Sequence, residues 1–315
     1  MNKNQIKNYF YFVSLGPFQY NQILKIIKLK DLSHDDFSII SYHDIYPSNN
    51  NFKNLLEHFK VLDCIVSSIK KHSLSIDYHL YIAHPRHIIT NILSFSGYFQ
   101  TVNLIQDGTP NYIDIRVDFK IYIKFFIKKI ISRLKNYKFT LFSGHTTGVN
   151  VINYNEIYGY SVRRFWLKEY QGKLIDLCGK IDENDTLLDD SSLLIVSQPL
   201  KINYKKINNI INKFIQENPK ILNVIIKKHP REKRAIKLKL NDSINIQFLN
   251  DDVVIENLFE EIKPKYVIGY SSNALIMLKI QNPDIDVFSF IECDSINTVL
   301  NDTVKLFKDF KIKFI

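Results

Sequence analysis

Apolar and polar positions fall into two recurrent patterns along the chain. Continuous apolar runs at residues 9–15, 37–41, 78–83 and 101–106 are short and rich in Val, Ile, Leu, Phe and Tyr, as buried strands are. Residues 18–29 and 51–71 instead repeat apolar side chains every three to four positions, the period of a helix with one buried face. Strands joined through helices run parallel, so the alternation predicts a parallel α/β sheet. The rhythm restarts after residue 190, with strands at 193–197, 221–227, 244–249, 266–269 and 287–290 and helices near 204–216, 253–261 and 273–280. Two Rossmann-like units are therefore expected, residues 1–185 and 186–315, with the last helix free to cross back to the first. The acidic stretch 182–191 has little periodicity and is read as the linker.

A chain of 315 residues is about twice the usual domain length, in keeping with two units. Hydrophobic residues at 45% with nine each of Gly and Pro exclude a disordered or fibrous chain. Charge changes the picture more: 42 Lys and Arg against 32 Asp and Glu leave +10, which points to an anionic partner. Cys64, Cys178 and Cys293 lie far apart and form no metal-binding spacing, so neither a disulfide framework nor a zinc site is expected, and a reducing cytoplasm fits. No export signal is expected, and lysines interrupt every apolar run before a membrane span is reached.

Residues 118–138 stand apart, with Ile121, Phe125, Ile127, Ile131 and Leu134 set among lysines and arginine. The pattern predicts a basic amphipathic helix. Its apolar stripe either packs on the sheet while the lysines are solvated, or docks on an anionic inner-membrane surface.

Open parallel sheets bind ligands where strands end and loops begin. Four such loops carry chemistry: 14–19 with Gly16, Pro17 and Gln19; 106–109 with Asp107 and Gly108; 227–231 with Lys227, His229 and Pro230; and 269–273 with Ser271 and Ser272. Together they are expected to face one interdomain cleft. Ser271-Ser272-Asn273 is a helix N-cap sequence, and hydroxyls plus free N–H groups at a helix start make a phosphate site needing no metal. Pro230 biases His229 toward extended geometry, where its imidazole could donate to a phosphate. His84-Pro85-Arg86 also follows a strand and serves as a decoy, so a His-Pro pair alone decides little. Asp107 suits a general base acting on a sugar hydroxyl, at an ordinary pKa of about 3.9, and Gly108 would leave room beside it; by itself Asp-Gly is most often a turn.

The set resembles the bacterial GT-B sialyltransferases, including lipooligosaccharide sialyltransferases and their capsule relatives. Ser14 to Gln19 resembles the loop after their first strand, Ser197-Gln198-Pro199-Leu200 their Gln-Pro element, His229-Pro230-Arg231-Glu232 their His-Pro motif, and Ser271 to Leu275 their phosphate-binding turn. The resemblance implies a GT-B fold and an inverting transfer from cytidine 5′-monophosphate (CMP) sialic acid to a hydroxyl, such as a galactoside's, on a bacterial surface glycan or lipid-linked oligosaccharide. By it Asp107 is the base, and Lys227, His229, Pro230, Ser271 and Ser272 hold the nucleotide. Glu256 holds the ribose, with Asp251 and Asp252 as competitors, and Gly16, Pro17, Gln19 and Gly108 line the donor sugar. One departure is visible: the family often has two acidic residues before the glycine, and here Gln106 takes the first place.

No cofactor is expected. The acidic pairs Asp35-Asp36, Asp189-Asp190 and Asp251-Asp252 sit in linker-like or helix-entry settings, so the expected scheme is metal-free, with His229 and a helix dipole serving the leaving phosphate. Two rivals stand: a GT-B transferase using a Kdo or hexose donor, and a basic nucleic-acid-binding protein, which no recognition motif supports.

Overall fold

The computed structural model describes residues 7–41, 52–72, 75–166, 172–178, 187–198, 204–229, 238–249, 255–291 and 298–315. The chain divides into two compact units, Met1–Leu177 and Cys178–Ile315.

The first unit is a six-stranded parallel sheet in the order β2-β1-β3-β4-β5-β6. Its strands are β1 (Lys7–Ser14), β2 (Phe37–Ser41), β3 (Ile76–Ile82), β4 (Thr101–Ile105), β5 (Glu156–Gly159) and β6 (Lys173–Asp176). Helices α1 (Pro17–Leu29), α2 (Phe52–His72), α3 (Ile88–Ser94) and α4 (Phe119–Leu134) connect them. The core is aromatic: Phe12, Tyr81 and Tyr158 are fully buried beside Leu80 and Ile82. In β1 burial deepens from the exposed Lys7 to the buried Ser14, so the strand's C-terminal end, where the functional loops leave, is its dry end.

The second unit repeats the plan. Strands β7 (Asp189–Val196), β8 (Asn223–Lys227), β9 (Asn245–Leu249), β10 (Pro264–Gly269), β11 (Asp286–Ser289) and β12 (Lys313–Phe314) form a parallel sheet ordered β12-β11-β10-β7-β8-β9. Helices α5 (Tyr204–Glu217), α6 (Ile255–Ile262), α7 (Asn273–Gln281) and α8 (Thr298–Asp309) accompany it. In α5 the buried Ile207, Ile211 and Phe214 recur at helical spacing and meet Leu193, Val224 and Ile268 of the sheet. The closing segment of the chain ends as an edge strand, β12 pairing with β11.

The short edge strand β12 escapes the hydrophobic pattern, and three further elements escape it for identifiable reasons. Six of the seven α3 residues are buried, so the helix has no polar face to mark its period. Strands β5 and β6 are four residues each, and β6 is largely exposed, so neither makes an apolar run. The expected linker also ends early: Asp189 and Asp190 open β7, and the Asp189 carboxylate accepts from the Ser191 backbone N–H (2.9 Å) and hydroxyl (2.6 Å).

Candidate active site

In each sheet the direction of strand addition reverses once, between β1 and β3 and between β7 and β10, and such reversal points are where open α/β sheets leave a crevice for ligands. The candidate residues gather at these two points as two half-sites.

In the first unit the first turn of α1, which follows β1, and the loops after β3 and β4 deliver Gln19, His84 to His87, and Asp107. The Asp107 side chain is 11% exposed. Arg86 Nη2 donates to its Oδ2 at 2.7 Å, Gln19 Nε2 reaches Oδ1 at 3.4 Å, and the Asp107 backbone N–H donates to Asn111 Oδ1 at 2.7 Å. Burial pushes the carboxyl up to about 6, against the nearby Arg86 cation, which pulls it down. This corrects the expectation of an ordinary aspartate: the loops that aim the carboxylate also dry it.

His84 lies beside it, with Nε2 3.8 Å from Asp107 Oδ2, beyond hydrogen-bond reach. Burial, with Arg86, His87 and Lys128 adding to it, pushes the His84 pKa well down, so the ring is neutral at pH 7. Its Nδ1 accepts from the Arg86 N–H at 3.2 Å, which leaves the proton on Nε2, facing the carboxylate. His87 stacks on His84, ring centroids 5.2 Å apart, and is held down to about 3, chiefly by burial. Lys128 of α4 donates from Nζ to the Arg86 carbonyl at 2.6 Å, and burial lowers it to about 8. The loop itself is pinned: Asn91 Nδ2 donates to the Pro85 carbonyl at 3.0 Å, and a Cβ on Gly148, where φ is +79°, would come within 2.5 Å of the Pro85 ring. The decoy His84-Pro85-Arg86 is thus part of the Asp107 site.

Gln106, the departure from the acidic pair, is a structural residue. Its Nε2 donates to Tyr112 Oη at 3.0 Å and its Oε1 accepts from the Tyr160 N–H at 2.8 Å, while the Tyr112 hydroxyl donates to the Tyr160 carbonyl at 2.6 Å. Only a side chain that both donates and accepts completes this set. Gly108 has φ 111°, a backbone conformation that favours glycine, and it opens the short turn Thr109–Asn111. Gly16 is extended, with φ 173°, so its conformation demands no glycine; Pro17 takes the first helical position of α1.

In the second unit β10, β7 and β8 are neighbours, so Ser271 and Ser272, Ser197 and Gln198, and His229 leave adjacent strand ends. The Ser197-Gln198 pair clasps the other two loops. The His229 backbone N–H donates to Ser197 Oγ at 3.0 Å, and both the N–H and the hydroxyl of Ser271 donate to Gln198 Oε1 at 3.2 Å. Ser272 caps α7, its Oγ accepting from the Ala274 N–H at 3.2 Å. Lys227 is buried, with Nζ donating to the Lys228 carbonyl at 3.1 Å. Pro230, Arg231, Glu232, Asp251 and Asp252 lie outside the described residues, and Glu256 sits on α6 with its side chain outside them.

Each unit thus brings together those of its sequence-predicted residues that are described. Sequence reasoning missed Arg86, His84, His87 and Lys128 in the first half-site and the clasping role of Gln198 in the second. Among the described residues no group of three His, Cys, Asp or Glu is placed to hold a metal ion, and no helix is long and apolar enough to cross a membrane.

This pair of parallel sheets, each with its crevice at the reversal point, is the GT-B architecture. The UDP-GlcNAc 2-epimerase of Neisseria meningitidis, solved with UDP-GlcNAc, superposes with a TM-score of 0.51 at 10% identity over 96% of this chain and 91% of its own. The MurG structure from Acinetobacter baumannii gives a TM-score of 0.46 at 10% identity over 98% of this chain and 85% of its own. No curated protein matches the chain by sequence. A profile of the alpha-2,8-polysialyltransferase family (POLYST) matches residues 10–290, and the chain belongs to that family. It is a glycosyltransferase of the sialyltransferase class.

Proposed function

We propose that this enzyme transfers sialic acid from CMP-sialic acid, with inversion, to a hydroxyl of a sialic-acid-terminated or galactoside-terminated glycan. The carrying observation is that Asp107, alone among the described residues of the site, is a carboxylate held both buried and oriented at a strand end inside the family-matched span. In this reading Asp107 takes the proton of the acceptor hydroxyl as its oxygen attacks the anomeric carbon. The bond to the donor phosphate breaks and its electron pair leaves on CMP. The Ser271 and Ser272 hydroxyls, the start of α7 and His229 receive the charge that builds on that phosphate, work that needs no metal ion.

Arg86 supports an acceptor that itself carries a carboxylate. One guanidinium nitrogen engages Asp107, and the Arg86 side chain is still 29% exposed, which leaves it within reach of a second anionic sugar.

Incubation with labelled CMP-sialic acid and a panel of sialylated oligosaccharides and galactosides tests the reading. Product of inverted anomeric configuration is expected, along with thermal stabilisation by CMP. Stabilisation by uridine or guanosine nucleotides instead would move the enzyme to a different donor.

A further inference from the structure

Helix α4 carries its apolar surface on the outside. At 100° per residue, Phe119, Ile123, Phe126, Ile127, Ile130 and Leu134, with Tyr122 at the margin, fall within an arc of about 140°. All of them are exposed, Phe119 and Leu134 at 78% and Phe126 at 52%. The opposite face is the one that packs, through the buried Phe125 and Ser132 and through Lys128, whose Nζ reaches the Arg86 carbonyl. Hydrophobic side chains on a helix ordinarily turn to the core, and here they turn away from it.

The flanks of the arc are cationic. Lys129 lies on one side and Lys120 and Lys124 on the other, with Arg133 at the arc's edge between Tyr122 and Phe126, Lys135 and Lys138 just beyond the helix, and no acidic residue within it. A second copy of the same face would bring these cations against their equivalents, and a neutral apolar partner would leave them unpaired. An anionic lipid surface meets both requirements, the acyl boundary taking the arc and the headgroups the lysines. We propose that α4 lies in the plane of an anionic membrane, with Phe119, Phe126, Ile130 and Leu134 inserted at the headgroup–acyl boundary.

The test is co-sedimentation of the full chain with vesicles of phosphatidylcholine alone or with phosphatidylglycerol added. Wild type is expected to bind the anionic vesicles at least tenfold better. Phe126→Ser/Ile130→Ser and, separately, Lys129→Glu/Arg133→Glu should each lose that binding about tenfold, while melting temperature and transfer to a soluble acceptor stay unchanged. In a Phe126→Trp variant the new indole should blue-shift and be quenched by brominated lipid on anionic vesicles. Equal binding to both vesicle types, binding that survives both double substitutions, an unquenched indole, or a dimer abolished by Phe126→Ser/Ile130→Ser would overturn the proposal. Loss of sialyl transfer in every variant and in wild type would leave this result standing and count against the reaction alone.

Discussion

Asp107 is poised on a narrow margin. A carboxyl titrating near 6 is about nine-tenths ionised at pH 7, and below 6 its ionised fraction falls about tenfold per pH unit. In the proposed reaction the base acts ionised, so kcat/KM should decline on acidification along a limb centred near 6, measurable from a pH-rate profile. Arg86 is the group that opposes burial, so Arg86→Ala should carry that limb upward by about one unit, while Arg86→Lys restores part of the shift. Asp107→Asn should cut kcat by a factor of roughly 10² to 10⁴ and leave CMP binding intact by calorimetry. Gln106→Glu, which would restore the acidic pair usual in the family, should instead destabilise the fold by about 2 kcal/mol or more, read by chemical denaturation. A carboxylate there offers the Tyr112 oxygen no donor.

At the scale of elements, two loops of the second unit are held by one side chain. Gln198 accepts twice from Ser271, and at about 1 kcal/mol for each bond Gln198→Ala should weaken CMP binding roughly thirtyfold. Gln198→Glu keeps an accepting oxygen but sets a negative charge beside the proposed phosphate site, so it should leave the loss in place. The elements were the legible part of this sequence. The apolar runs marked nine of the twelve strands among the described residues, most of them apolar because both faces are covered, and α5 showed its period because only one of its faces is buried. Contacts across the sheet were not legible. Arg86 and Asp107 meet because β3 and β4 pair with Ile82 beside Leu104, a register that no local pattern encodes. His84-Pro85-Arg86 therefore read as a decoy, and Gln106 as a departure, until their neighbours were known. Lys128 was visible only as one lysine in a basic run.

At the scale of the molecule, the chain divides its chemistry between two folding units that share one plan. The first holds the carboxylate with its guanidinium and neutral imidazoles, the second the hydroxyls, an imidazole and a helix start. In the proposed reaction these groups meet the phosphate charge, so EDTA should leave turnover unchanged in a radiolabelled transfer assay, and a strict requirement for a divalent ion would remove the role given to the start of α7. The helix that turns Lys128 toward Arg86 turns Phe126 the opposite way, and an α-helix with its side chains is about 10–12 Å across. On the proposed membrane footing, a rigid rod of that girth would set the distance between the lipid and the Arg86–Asp107 pair. An enzyme seated on it would favour glycan ends held at one height above the lipid, and chain growth would have to feed each new terminus back to that level.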